Sequence, residues 1–243
     1  ILLLSFYSVI GGWILLYLFV AFINTIGILP ISDYEGMFGQ IVTNPLYVVV
    51  GQGAFLLLTV FIVAQGVQKG LERASKIMMP LLFILFLIII IRSLTLPNAM
   101  EGVEFFLTPS FENINSQAVL YALGQSFFAL SIGATTMITY ASYLDNTHNL
   151  TKSALYIVLM NITISVMAGL AIFPAIASFE MENVFGPGLI FIVLPQVFSE
   201  IALGNLFYIL FLIAFLFATL TSAISMIEIN VANAIKGNEN KRK

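Results

Sequence analysis

The chain has 243 residues, of which 60% are hydrophobic and only 9% charged, against roughly 25% charge in an ordinary soluble domain. That leaves too little polar surface to cover a water-soluble globule, so the expected solvent is lipid. A formal net charge of −3 speaks against a nucleic-acid partner, and the absence of cysteine removes any thiol nucleophile, thiol metal ligand or disulfide.

A membrane-crossing helix takes roughly 20 mostly apolar residues. Six stretches meet that requirement: 1–23, 46–65, 77–94, 118–143, 153–179 and 205–234. The first opens on Ile-Leu-Leu-Leu, without the basic flank of a signal peptide. It reads as a true span, and the chain as a piece of something longer. No soluble domain is expected; the chain is one transmembrane domain.

The loops set the orientation. Of the nine Lys and Arg, Lys69, Arg73, Lys76, Lys152, Lys236, Lys241, Arg242 and Lys243 fall in alternate loops and the tail. The opposite loops carry Asp33, Glu35, Glu101, Glu104, Glu112, Glu180, Glu182 and Glu200. By the positive-inside rule, both ends of the chain are expected on the cytoplasmic side of the plasma membrane. Arg92 is the exception, and is expected to snorkel into the headgroups at the outer end of the third span. The outer loop after the fifth span holds an apolar run, 189–194, too short to cross. It is expected as a re-entrant or surface helix over a cavity.

The fourth span has a small and polar middle: Ser131, Gly133, Thr135 and Thr136. Two readings fit. In one the helix breaks there, and the freed carbonyls and amides line a cavity that holds ions and polar solute groups. In the other the helix is continuous and packs through a small-residue face. In the sixth span, 218, 221, 222 and 225 share one face. The hydroxyls of Thr221 and Ser222 either ligate a hard cation or bond their own helix carbonyls. Asn161 and Ser165 lie a turn apart in the fifth span, where Asn161 either offers an oxygen to an ion or bridges two helices. Glu228 lies inside the last apolar stretch, and is expected as a structural or gating group rather than a proton carrier. His148, the single histidine, falls in a polar loop.

Together these segments resemble the neurotransmitter:sodium symporter family, with its leucine-transporter-type fold. Gly124-Gln125, Phe127-Phe128, Leu130-Ser131 and Gly133, followed by Ile138-Thr139-Tyr140-Ala141-Ser142-Tyr143, resemble the family's broken sixth helix. Thr221-Ser222 resembles its eighth helix, 69–80 the loop entering its fifth, and Phe6-Tyr7 with Trp13 its third. The similarity runs through the whole chain as helices three to eight.

The resemblance implies an all-α integral membrane protein of the inverted-repeat class, with six spanning helices, one of them broken. Residues 1–94 would end the first repeat and 118–234 begin the second. It implies sodium-coupled symport of an amino acid or similar small solute by alternating access, with no catalysis and no cofactor beyond the coupling ion. Ala218, Thr221 and Ser222 match one sodium site; Asn161 and the backbone of Ala129 match another. Leu3, Tyr7, Phe128, Ser131, Gly133, Ala134, Ser222 and Met226 match substrate positions. Ser142 and Tyr143 match a cytoplasmic gate. Gln125 and Ser165 match chloride positions, but Ala129 lacks the usual hydroxyl while Ser165 replaces the acid of chloride-independent members, so chloride dependence stays open. Oligomeric state is likewise open. Three rivals remain: a channel or uncoupled facilitator, an intramembrane enzyme, and a scaffold with an unbroken fourth span.

Overall fold

The computed structural model describes residues 2–25, 33–133, 135–144, 149–178 and 186–235. Among these, five helices are long and apolar enough to cross a membrane. They are α1 (Leu2–Thr25), α3 (Pro45–Ala64), α4 (Arg73–Leu94), α8 (Leu150–Ala177) and α10 (Gly204–Ile235). The fourth crossing is built in two pieces, α6 (Ser116–Ala129) and α7 (Thr136–Ala141), so the continuous-helix scaffold does not describe this chain. Shorter helices α2 (Tyr34–Thr43), α5 (Ala99–Leu107) and α9 (Leu194–Ser199) fill the connections.

The helix starts are written locally. Asn44 accepts from Leu46 N at 2.9 Å ahead of Pro45, which fits the first helical turn because it has no N–H to satisfy. Asn115 accepts from Ala118 N at 2.8 Å and Asn149 from Lys152 N at 3.1 Å. Gly66, at φ +91°, ends α3 in a conformation that costs a glycine little. A π-helical turn, Val67–Glu72, leads into α4, so helix begins before the apolar stretch that marked the third span.

α1 and α10 form the centre, with α3 against both and α4 against α10. The approach of α1 to α3 is very close: a Cβ on Gly12 would lie 2.5 Å from the Gln52 nitrogen. Gln52 Nε2 bridges the same pair, donating to the Ser8 hydroxyl at 2.9 Å and the Ser5 carbonyl at 3.2 Å. At the other end of α1, Asn205 donates to the Ala21 carbonyl at 3.1 Å and to the Thr25 hydroxyl. Ile14, Tyr17, Phe55, Leu212 and Ile224 make the buried centre. By contrast α6 buries none of its residues, and the first half of α8 turns Leu155, Tyr156, Leu159 and Met160 outward. Such faces suit lipid or further helices.

Two expectations change in detail. The run at 189–194 becomes a π-helical turn feeding α9, and it packs into the bundle. Phe191 is fully buried, stacked on Phe38 and edge-on to Trp13. Arg92 is not only a snorkelling group. Its guanidinium lies 5.9 Å from the Phe207 ring centroid, and Nη1 donates to Thr95 Oγ1 at 2.9 Å.

Candidate functional site

The break in the fourth crossing has a definite chemistry. α6 ends as Ser131 N donates to the Phe128 carbonyl at 3.0 Å and Ile132 N to the Phe127 carbonyl at 2.9 Å. This pair of bonds is a Schellman termination, which needs a left-handed residue just past the helix. Ser131 takes that place at φ +54°. Gly133 follows at φ +85° and Thr135 at φ +60°, before α7 begins. Two of these three residues carry a Cβ, so the strip holds backbone strain of the kind found at functional sites. The carbonyl end of α6 points its partial negative charge toward the gap.

The strip faces a cavity of about 890 Å³ between α1, α6, α7 and α10. It brings together most of the residues singled out by sequence. Leu3 and Tyr7 line it from α1; Gln125, Phe128 and Ala129 from α6; Ser131 and Gly133 from the strip; Thr221, Ser222 and Met226 from α10. Thr136, Tyr140 and Ser225 line it as well. No side chain with a formal charge is among the described lining residues. Its walls are therefore apolar side chains, hydroxyls, amides and backbone.

α10 presents three polar rungs one turn apart, each met by a tyrosine from another helix. Tyr7 of α1 lies beside the Ser222 hydroxyl. The Tyr140 hydroxyl of α7 and Ser225 Oγ lie 2.6 Å apart. Beyond the end of α7, the Tyr143 hydroxyl donates to Glu228 Oε1 at 2.6 Å, and Glu228 is fully buried. Glu228 thus meets a phenol; Lys236, two turns further along the sequence, lies outside the described residues, as do Ala134 and His148.

The hydroxyls of α10 do bond their own helix. Thr221 Oγ1 reaches the Phe217 carbonyl at 3.0 Å and the Ala218 carbonyl at 2.9 Å; Ser222 Oγ reaches the Ala218 carbonyl at 3.2 Å. These bonds use the hydroxyl hydrogens and leave the oxygen lone pairs available. The two readings of Thr221 and Ser222 are therefore compatible, and this oxygen set suits a small monovalent cation. Ala218 does not line the cavity; its carbonyl sits one turn behind Ser222. Ser142 closes the last turn of α7 through its own bond to the Thr139 carbonyl at 2.6 Å.

Asn161 and Ser165 stand apart from the cavity lining. Both are on α8, which packs against α4 and α5, and Ser165 Oγ donates to the Asn161 carbonyl at 2.9 Å. The pairing of Tyr140 with Ser225 in the cavity wall is a contact that the sequence reading missed. The only signal for it was a shared spacing of three: Tyr140 to Tyr143 at the end of one crossing, Ser225 to Glu228 on α10.

Residues 45–242 match the sodium:neurotransmitter symporter family. An uncharacterized sodium-dependent transporter of Bacillus subtilis, YhdH, is 53% identical over 242 residues, covering all of this chain and 54% of the relative. An uncharacterized sodium-dependent transporter of Haemophilus influenzae is 38% identical over 93% of this chain and 50% of its own. The crystal structure of MhsT in complex with L-phenylalanine superposes with a TM-score of 0.88 at 38% identity, covering 99% of this chain and 56% of MhsT. The chain thus spans about half the length of the curated relatives it matches. With the family pattern running through most of its sequence and the same helix arrangement in MhsT, the chain belongs to the sodium:neurotransmitter symporter family.

Proposed function

We propose that this chain forms helices three to eight of a sodium-coupled symporter for an amino acid or similar small solute, working by alternating access in the plasma membrane. Residues 1–94 end one inverted repeat and 118–234 begin the other, with both ends of the chain on the cytoplasmic side.

The observation that carries this reading is the break between α6 and α7, whose Ser131, Gly133 and Thr135 line a cavity shared with Tyr7 and Ser222. Freed backbone groups and hydroxyls in one dry space can bind a cation and a zwitterion with no charged side chain. Thr221, Ser222 and the Ala218 carbonyl hold sodium. Tyr7, Ser131 and Gly133 face the polar end of the solute, with Leu3, Phe128 and Met226 around its side chain. That wall favours an apolar side chain, in line with the L-phenylalanine held by MhsT. Asn161 and Ala129 mark a second sodium position, and Ser142 with Tyr143 the inner gate. Of the two positions that the resemblance gives to chloride, Gln125 lines the cavity and Ser165 does not. Sodium drives the cycle by binding one arrangement of the bundle more tightly than the other.

The test is uptake of labelled phenylalanine and leucine by the full-length transporter in vesicles, with outside sodium replaced by choline. Uptake should fall to background. Uptake that continues undiminished in choline identifies a facilitator or channel and overturns the reading.

A further inference from the structure

We infer that a buried water molecule bridges the hydroxyls of Tyr17 and Tyr208 at the outer end of the α1–α10 seam. The site lies away from the cavity, and the inference does not depend on the transport reading.

Register brings the two phenols together. α1 and α10 run antiparallel, because Asn205 donates to the Ala21 carbonyl at one end while Tyr7 lies beside Ser222 at the other. One turn inward from Asn205 and Ala21, α10 offers Tyr208 and α1 offers Tyr17. Both side chains belong to the same core, with exposures of 5% and 1%. Tyr208 lies close to Tyr17 and also to Tyr34 of α2. Aromatic rings close the place from the outer side. Phe191 has its centroid 4.9 Å from that of Tyr17, and Phe198 lies 5.8 Å from Tyr208. One turn further in, the same register sets Ile14 and Leu212, both fully buried, as an apolar floor.

Neither hydroxyl has a hydrogen-bond partner among the described residues, so the two phenols do not bond each other directly. A hydroxyl taken out of water without a replacement bond is costly, and buried polar groups are as a rule satisfied. Two orphaned hydroxyls at one point of a closed core share that cost, and a single ligand removes it for both. Water has the matching chemistry. It accepts from one phenol, donates to the other, and keeps a third bond for Tyr34, and three partners is the usual number for an internal water. A halide ion would only accept, and its charge would find no neutralising group in three phenols. The bridge ties α1 to α10 one turn from the Asn205 tie, so the outer ends of both helices are pinned twice, under the cover of α2 and α9.

The test begins with the parent full-length protein, solved at a resolution that shows ordered water. A density peak within hydrogen-bonding distance of both hydroxyls is expected. An empty gap, a direct bond between the phenols, or a bond from either hydroxyl to another protein group overturns the bridge. Thermal unfolding of Tyr17→Phe, Tyr208→Phe and the double variant reads the energetics. Each single variant takes one partner from the water and should lower the apparent melting temperature by roughly 1–3 °C, the shift for one net hydrogen bond in a chain of this size. The double variant removes both hydroxyls together with their need for water, and should melt no lower than the weaker of the single variants. Dry hydroxyls give the opposite sign, because each Phe then removes an unsatisfied group and raises the melting temperature. Raised or unchanged melting in both single variants, or losses that simply add in the double one, overturns the bridge. Should a variant fail to fold, the density in the parent decides alone.

Discussion

Tyr143 and Glu228 are 85 residues apart in sequence and 2.6 Å apart in space, joined where no solvent reaches the carboxyl group. An acid inside an apolar helix is costly unless its oxygens are satisfied. Glu228→Gln keeps an oxygen facing the phenol and should leave the apparent melting temperature in detergent nearly unchanged. Glu228→Leu takes this acceptor away and should lower it, a loss of about 0.5–1.5 kcal/mol for one net hydrogen bond. Equal melting of the two variants would show that the pair does not hold the inner end of α7 to α10.

The α1–α3 seam gives a second prediction. A methyl on Gly12 would meet the backbone of Gly51 and Gln52 at 2.5–2.6 Å, and backbone cannot turn aside as a side chain can. Gly12→Ala should therefore push the helices apart, lengthen the Gln52 bonds to Ser5 and Ser8, and cost roughly 1–3 kcal/mol or more. Gly53→Ala is the control, since nothing lies within 4 Å of its Cβ position. It should be neutral or slightly stabilising, because alanine is the better helix former. The comparison is read by thermal unfolding of both variants; equal losses would contradict the close approach.

How much of this was legible beforehand depends on the range of the forces involved. The six crossings were readable from apolar length alone. The break was readable as one of two options, because Gly133 and the hydroxyls around it only permit it. Its place was readable too, but not its geometry, since the left-handed turns at Ser131 and Thr135 fall on residues that do not ordinarily favour them. The burial of Phe191 was also hidden. An apolar run of that length has the same composition whether it lies on lipid or under a helix. Tyr140 and Ser225, 85 residues apart, needed the angle between α7 and α10, which no local pattern encodes.

Tyr34 offers a test by pH. It lies outside the spans at the start of α2, buried, with a side-chain hydrogen bond to Ser199 beside α10. Burial pushes its phenol above the ordinary value of 10.0, and the Ser199 bond pulls it partly back. The folded state therefore favours the protonated form. That contribution is complete below the unfolded value and is lost as pH rises through the folded one. The melting temperature should fall more steeply above pH 10 in the parent than in Tyr34→Phe. Parallel curves would mean that Tyr34 is not what holds α2 to the Ser199 segment in alkali.

Thr221 and Ser222 are adjacent, yet should fail differently. Both have their hydrogens committed to carbonyls of α10 and their lone pairs free, so each can give one oxygen to sodium. Only Ser222 also meets Tyr7 across the cavity. Thr221→Ala should raise the sodium concentration for half-maximal solute binding about tenfold, the effect of losing roughly 1.4 kcal/mol of ligation. At saturating sodium its solute affinity should return to the parent value. Ser222→Ala should shift the sodium curve similarly, but its solute affinity should stay weak at any sodium concentration, because Tyr7 has lost its partner. Thr221→Ser keeps the oxygen and should titrate like the parent. Equilibrium binding of labelled phenylalanine across a sodium series reads all three. A parent-like sodium curve for Thr221→Ala would mean that the cation is held elsewhere, and the oxygens of α10 would then serve only their own helix.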